Sequence, residues 1–384
     1  MKSFNPVYAA CGTTIFTVMS ALAREHDAIN LGQGFPDEDG PLAMREAAAA
    51  AAIEGPSQYP PMPGLPALRQ AVAAHDRRYY GLSLDWESEV LITSGATEAL
   101  AGACFGLIEP GDEVVLIEPL YDAYLPLVRR AGGVPRLVRL RPSGWELPKD
   151  ALEAAFSPRT KLLLLNSPHN PTGKVFDADE LACIARLLDR CDAYAVCDEV
   201  YEHIVFDGRA HRPLMTLPGM RQRCLRIGSA GKVFSMTGWK VGYVVGSPAL
   251  IEAVARAHQF LTFTTPPNLQ TAVAYGLDHE GAWIDGLAGM QQGKRDRLAR
   301  GLRSAGFDLQ PADGTYFLTA RVPSAWNDGD DAFSRHLATE VGVACIPLGA
   351  FYGSAPDDGY IRFCFCKQDG VLDAAVARLK RHFG

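Results

Sequence analysis

The chain has 384 residues, with 37 Lys and Arg against 44 Asp and Glu, 48% hydrophobic and 21% charged. That composition describes an ordinary soluble globular protein with room for a substantial core and two lobes. A net charge of −7 gives no electrostatic reason for nucleic acid or an anionic membrane as main partner, because such affinity needs clustered positive charge; a small anionic ligand stays open.

From the N-terminus, residues 3 to 23 carry no charge, Lys2 precedes them, and Ala21-Leu22-Ala23 mimics a cleavage site. Asn5, Pro6, Gly12, Thr13, Thr14, Thr17 and Ser20 break the run, so it lacks the continuous apolar stretch of an export signal or a membrane span. The expectation is an arm followed by a helix that packs Phe16, Met19 and Leu22 inward. Next come strands over Val90 to Thr93, Glu113 to Glu118, Val134 to Leu140, Lys161 to Asn166, Ala193 to Asp198, Cys224 to Ser229 and Val241 to Val245. Helical patterns at Thr97 to Leu107, Tyr121 to Ala131 and Asp177 to Asp189 lie between them. Alternating strand and helix implies right-handed crossovers and a mainly parallel sheet covered on both faces, the α/β class. Beyond Pro266 the pattern changes to a helical region from Leu269 to Ala305, short strands near Tyr316 to Arg321 and Tyr360 to Phe365, and a closing helix. The expected division is a large domain over residues 41–280, with a smaller domain formed by residues 1–40 and 281–384.

Nine cysteines, Cys11, Cys104, Cys183, Cys191, Cys197, Cys224, Cys345, Cys364 and Cys366, form no C-x-x-C pair and lie in apolar stretches. They predict reduced, partly buried thiols of a cytoplasmic protein, with neither a disulfide frame nor a metal site. Three short motifs are chance matches. Gly32-x-Gly34-x-x-Asp37 lacks the third glycine of a dinucleotide fingerprint, Gly173-Lys174 and Gly231-Lys232 lack the rest of a P-loop, and Ser229-x-x-Lys232 stands without its companion motifs.

Chemistry resides at the carboxyl ends of the predicted strands, where open α/β sheets hold ligands. One strand runs into Ser167-Pro168-His169-Asn170-Pro171-Thr172-Gly173, a second ends in Asp198-Glu199-Val200-Tyr201, and a third in Gly228-Ser229-Ala230-Gly231-Lys232. A fourth ends in Thr93-Ser94-Gly95-Ala96-Thr97-Glu98 and opens a helix whose free N–H groups suit a phosphate. Singly, a strand-end Asp is a cap, a Lys is a surface charge and Asn-Pro-Thr-Gly is a turn. Together they supply a Schiff-base lysine, a carboxylate for a pyridine nitrogen, donors for a ring oxygen and a phosphate cradle, the parts that bind pyridoxal phosphate.

These motifs, from Asn30-Leu31-Gly32-Gln33-Gly34-Phe35-Pro36 to Ile361-Arg362-Phe363-Cys364-Phe365, resemble the class I pyridoxal-phosphate aminotransferases, in particular the methionine and kynurenine aminotransferase-like group. The resemblance implies the type I fold of such enzymes: a large domain on a mainly parallel seven-stranded sheet and a smaller α+β domain. It implies that Lys232 bonds the cofactor and shuttles the substrate's α-proton, Asp198 pairs with the pyridinium, and Asn170 and Tyr201 bond the ring oxygen. Tyr121 would stack on the ring; Ala96, Thr97, Ser229 and Lys240 would hold the phosphate, joined by Tyr59 across a homodimer with shared sites. Arg362 would clamp the substrate α-carboxylate, helped by Asn170 and Gly34. Phe16 and the partner subunit's Phe263 and Thr97 would surround a large neutral side chain. Thr264 and His169 depart from the kynurenine-handling pattern, and Lys240 replaces a common arginine.

The implied activity moves the amino group of methionine or an aromatic amino acid to a 2-oxo acid. β-Elimination on cysteine conjugates is an alternative. A pyridoxal-phosphate-binding regulator would need a basic helix-turn-helix, for which the segment before Asn30 is short and nearly uncharged.

Overall fold

The structure, a computed structural model, describes residues 2–354 and 359–384. In chain order the strands are β1 (Ile29–Asn30), β2 (Val90–Thr93), β3 (Glu113–Glu118), β4 (Val134–Arg139), β5 (Thr160–Asn166), β6 (Tyr194–Asp198), β7 (Cys224–Ser229) and β8 (Gly242–Gly246). β9 (Asp308–Leu309), β10 (Phe317–Arg321), β11 (Val343–Ala344), β12 (Ile346–Pro347) and β13 (Tyr360–Cys364) follow. Every expected strand lies within one residue of its observed bounds.

The main sheet has seven strands in the order β2-β8-β7-β6-β5-β3-β4, all parallel except β8, which runs antiparallel to both neighbours. Both faces are buried, so the strands read as continuous apolar runs rather than alternating ones. Alternate residues still serve different cores. Val115, Ile117, Leu163 and Leu165 enter one cluster, and Val114, Leu116, Leu162 and Leu164 the other.

The helices start and stop for local reasons. Asp177 and Glu180 form a reciprocal capping box at the start of Ala178–Arg190. Thr14 caps Ile15–Glu25, which buries Met19 fully and leaves Phe16 and Leu22 half-buried against the core. The expected helix at Tyr121 begins only at Tyr124, leaving Tyr121 in the turn at the sheet's edge. The long helical region is two helices, Pro267–His279 and Gly281–Ser304. The break at Glu280–Gly281 lets the first pack on Leu42–Glu54 and Pro66–Tyr80, while the second turns to pack on the closing helix Asp369–Phe383. No helix of the described residues is long and apolar enough to cross a membrane.

A four-stranded antiparallel sheet, β12-β13-β10-β9, lies in the C-terminal part, and β1 pairs with β11. Its core of Phe317, Phe333, Phe363, Phe365 and Leu372 also takes in Leu31, Tyr201 and Ile204. The second sheet thereby touches the end of β6.

Beneath the main sheet, fully buried Arg226 of β7 binds three carboxylates. Its Nε donates to Glu199 Oε2 at 2.7 Å, its Nη1 to both oxygens of Asp76 at 2.8 and 3.0 Å, and its Nη2 to Glu202. Each acid has further donors: Tyr243 and Tyr80 on Glu202, His211 on Glu199 and His75 beside Asp76. Removing one partner strands the others as buried charges. Arg226→Met is expected to lower unfolding stability by about 3–5 kcal/mol, read as a fall in the urea midpoint at unchanged slope.

Candidate active site

The parallel ladder sets Asn166 of β5 opposite Asp198 of β6, and β7 ends at Ser229, two residues beyond the Ile227 that pairs with Asp198. Asn166 ties this edge together. Its Nδ2 donates to the Asp198 carbonyl at 2.8 Å, and its Oδ1 accepts the Asn170 N–H at 2.7 Å, which fixes the turn carrying Asn170. Asp198 is 5% exposed; its carboxylate accepts from the Tyr124 hydroxyl at 2.7 Å and, more distantly, the Val200 N–H at 3.4 Å. Burial pushes this carboxyl up to about 6, against those hydrogen bonds and the Lys232 cation.

Lys232 follows β7 on the short helix Ala230–Val233. Its Nζ donates to Gly34 O at 3.3 Å and lies 5.5 and 5.9 Å from the ring centres of Tyr201 and Tyr316. The Tyr316 hydroxyl pins the Lys232 carbonyl at 2.9 Å. Burial lowers the amine's pKa, and nearby Cys366, Cys364 and Asp198 oppose that shift.

Arg362 enters from β13 and is 1% exposed. Its Nη1 donates to Asn170 Oδ1 at 2.8 Å and its Nη2 to Gly32 O at 2.9 Å. The guanidinium lies 3.9 Å from the Phe317 ring centre and 5.2 Å from those of Phe16 and Phe351. Its Nε has no hydrogen-bond partner, and burial brings its pKa down to about 10. A buried cation paired with neutral amide and carbonyl oxygens is electrostatically short of an anion. Gly34 keeps the approach open, since a Cβ there would meet the Phe317 ring at 2.7 Å.

At the opposite end, the helix Gly95–Leu107 begins without a side-chain cap. Its first N–H groups face the cavity beside Ser229, Thr237 and Lys240. Close backbone packing makes this cradle: Gly95 has φ of +77°, and a Cβ on Gly242 of β8 would lie 2.7 Å from Gly95 C and 2.8 Å from Ala96 N. Tyr121 stands over the middle of the cavity, its phenol pushed up to about 12 by burial.

Thus Phe16, Gly34, Ala96, Thr97, Tyr121, Asn170, Asp198, Tyr201, Ser229, Lys232, Lys240 and Arg362 line one cavity. Tyr59 and Phe263 do not. They are 83% and 40% exposed and pair edge to face at 5.6 Å on the surface. His169 is packed inside its turn, its Nδ1 on Thr172 Oγ1 at 2.8 Å, and burial drives its pKa down to about 3, so it is a neutral turn residue. Sequence reasoning passed over Tyr124, Asn166, Tyr316 and Phe317. Asn166 was visible as a strand end and Tyr124 as a neighbour of Tyr121, whereas Tyr316 and Phe317 arrive from a distant strand with no local signal.

The cavity fits a pyridoxal phosphate at every contact type it needs: a buried carboxylate, an amine of lowered pKa, and unpaired N–H groups with a lysine at the phosphate end. A family model for aminotransferase class I and II matches residues 26–379. The solved structure of N-succinyldiaminopimelate aminotransferase from Mycobacterium tuberculosis superposes with a TM-score of 0.96 at 47% identity, covering 99% of this chain and 100% of that one. Methionine aminotransferase of Escherichia coli is 39% identical over 370 residues, 96% of each chain. Kynurenine–oxoglutarate transaminase of Dictyostelium discoideum is 37% identical over 403 residues, 95% of this chain and 93% of that protein. The chain belongs to the class I and II aminotransferases, and its cofactor is pyridoxal phosphate.

The raised Asp198 pKa has a signed consequence. A carboxyl lifted from 3.8 to about 6 on folding contributes stability that is full below pH of about 4 and lost as pH rises through about 6, roughly 3 kcal/mol in all. Cofactor-free Asp198→Asn is therefore expected to withstand more urea than the wild type at about pH 8, with the advantage shrinking towards about pH 5, while its affinity for pyridoxal phosphate falls. A constant difference at both pH values would contradict the assignment.

Proposed function

We propose that this aminotransferase takes the amino group of a large neutral amino acid, methionine or an aromatic one, and passes it to a 2-oxo acid. The observation that carries the reading is the pairing of one buried, anion-deficient arginine with an aromatic wall. Arg362 offers a fork for the α-carboxylate, and Phe16, Phe317 and Tyr121 leave an apolar slot beside it.

Pyridoxal phosphate supplies, when bound, an electron sink for the carbanion character that develops at the substrate's Cα. The chain's own groups do the rest. Asp198, held by Tyr124, would meet the pyridine nitrogen as an anion; Asn170 and Tyr201 would hold the ring oxygen; the N–H groups of Ala96 and Thr97, with Ser229 and Lys240, would hold the phosphate. Lys232 Nζ removes the α-proton and returns it, a role suited to an amine whose pKa burial has lowered. Exposed Tyr59 and Phe263 support a homodimer in which each copy completes the other's site.

A second reading has support from the 47% identical N-succinyldiaminopimelate enzyme. Such a substrate carries carboxylates far from its reacting amine and needs a cation beyond the clamp. Among the residues lining the cavity the cations are Lys232, Lys240 and Arg362, and each has a task above, which favours the neutral side chain. Turnover of a donor panel separates the two. Higher kcat/KM for methionine and phenylalanine than for N-succinyldiaminopimelate is expected; the reverse order would replace the first reading by the second.

Arg362→Ala is expected to reduce kcat/KM for every α-amino donor alike, by about 2–5 kcal/mol, because the carboxylate loses a buried charge partner. A loss confined to one side-chain class would remove Arg362 from the clamp. Lys232→Ala is expected to abolish turnover while Asp198 and the phosphate cradle still bind cofactor, checked by dialysis and absorbance.

A further inference from the structure

We propose that Cys364 and Cys366 form an oxidisable dithiol under the substrate clamp, which hydrogen peroxide closes to a disulfide and which thereby weakens amino-acid binding. The two sulfurs lie 3.2 Å apart, both fully buried, at the end of β13 where the chain leaves the strand. They follow Arg362 by two and four residues, and both lie near enough to Lys232 and Tyr316 to perturb their ionisation. Burial this complete suits a small oxidant rather than a bulky disulfide.

Local charge selects this pair. The Cys366 thiol, then Lys367 and Arg362, lower the Cys364 thiol despite its burial, which favours its thiolate. In the first step the Cys364 thiolate attacks peroxide; the O–O bond breaks, an S–O bond forms and hydroxide leaves. Cys366 sulfur then attacks Cys364 sulfur, forming S–S as S–O breaks and water departs. Overall, two thiols and one peroxide give one disulfide and two waters, with sulfur oxidised and peroxide oxygen reduced.

Closure reaches the clamp through the backbone. The Cys364 N–H donates to Leu31 O at 2.7 Å, and Cys366 O accepts the Asp37 N–H at 3.3 Å. Lys367 Nζ holds Phe35 O at 2.9 Å and Asp37 Oδ1 at 3.1 Å. The segment so bracketed carries Gly32 and Gly34, whose carbonyls accept from Arg362 and Lys232. Drawing the sulfurs to bonding distance, about 2.0 Å, moves those anchors and hence the guanidinium.

The test treats holoenzyme with peroxide, alkylates free thiols and digests with trypsin, which releases residues 363–367 between Arg362 and Lys367. The expected result is that peptide with two hydrogens lost and no alkyl label, KM for the amino donor raised on the order of tenfold at retained cofactor absorbance, and recovery with dithiothreitol. Cys364→Ser is expected to keep untreated activity and to lose the KM response, with Cys366→Ala as a second variant. Two alkylated thiols in the treated peptide, an unchanged KM despite the disulfide, or a KM response as large as the wild type's in either variant would each overturn the proposal. The mass readout is independent of which donor the enzyme prefers.

Discussion

The register of β5, β6 and β7 is the constraint on which this protein's chemistry depends. Parallel pairing places Asn166 opposite Asp198 and Asp198 opposite Ile227, two residues before β7 ends at Ser229. Side chains alternate between faces along a strand, so adjacent acids part company. Asp198 lies with Val196 on the face of Tyr124, while Glu199 turns to Arg226 on the other. A slip of one residue would exchange them, turning Asp198 towards the arginine cluster and taking Glu199 away from Arg226.

That arrangement is electrostatically costly on both faces, and the two faces meet the cost differently. Under the sheet, Arg226 and its three acids satisfy one another within the chain. In the cavity nothing of the kind happens. Asp198 is pushed towards its neutral form, Lys232 towards its neutral form, and Arg362 has a donor left over. Groups held away from their preferred ionisation are poised for ligands of opposite charge, a pyridinium and two anions. The mildly acidic surface charge of the whole chain is no obstacle, because local cations act at short range inside a low-dielectric site.

The clamp depends on contacts that span most of the chain. Arg362 sits on β13, is oriented by Asn170 after β5 and by Gly32 before the large sheet begins, and is covered by Phe16 of the N-terminal helix and Phe317 of β10. The dithiol at Cys364 and Cys366 adjoins the same junction. It links a chemical event in the second sheet to the segment that touches both Arg362 and Lys232.

Sequence alone determined the strands of the main sheet, because runs buried on both faces are apolar throughout and their bounding turns are rich in Gly, Pro and Asp. It also brought out the aminotransferase family and most of the cavity lining, since those residues cluster in short motifs at strand ends. Phe16 too was placed correctly, on a helix that packs it against the core. Tertiary structure decided the rest: that Tyr124 supports Asp198, that Tyr316 and Phe317 wall the lysine and the arginine, that the helical region after Pro266 is broken at Glu280, and that two cysteines noted only as scattered thiols are neighbours. These are contacts between residues far apart in the chain, or at a bend after a strand, and neither periodicity nor motif spacing encodes where two such surfaces meet.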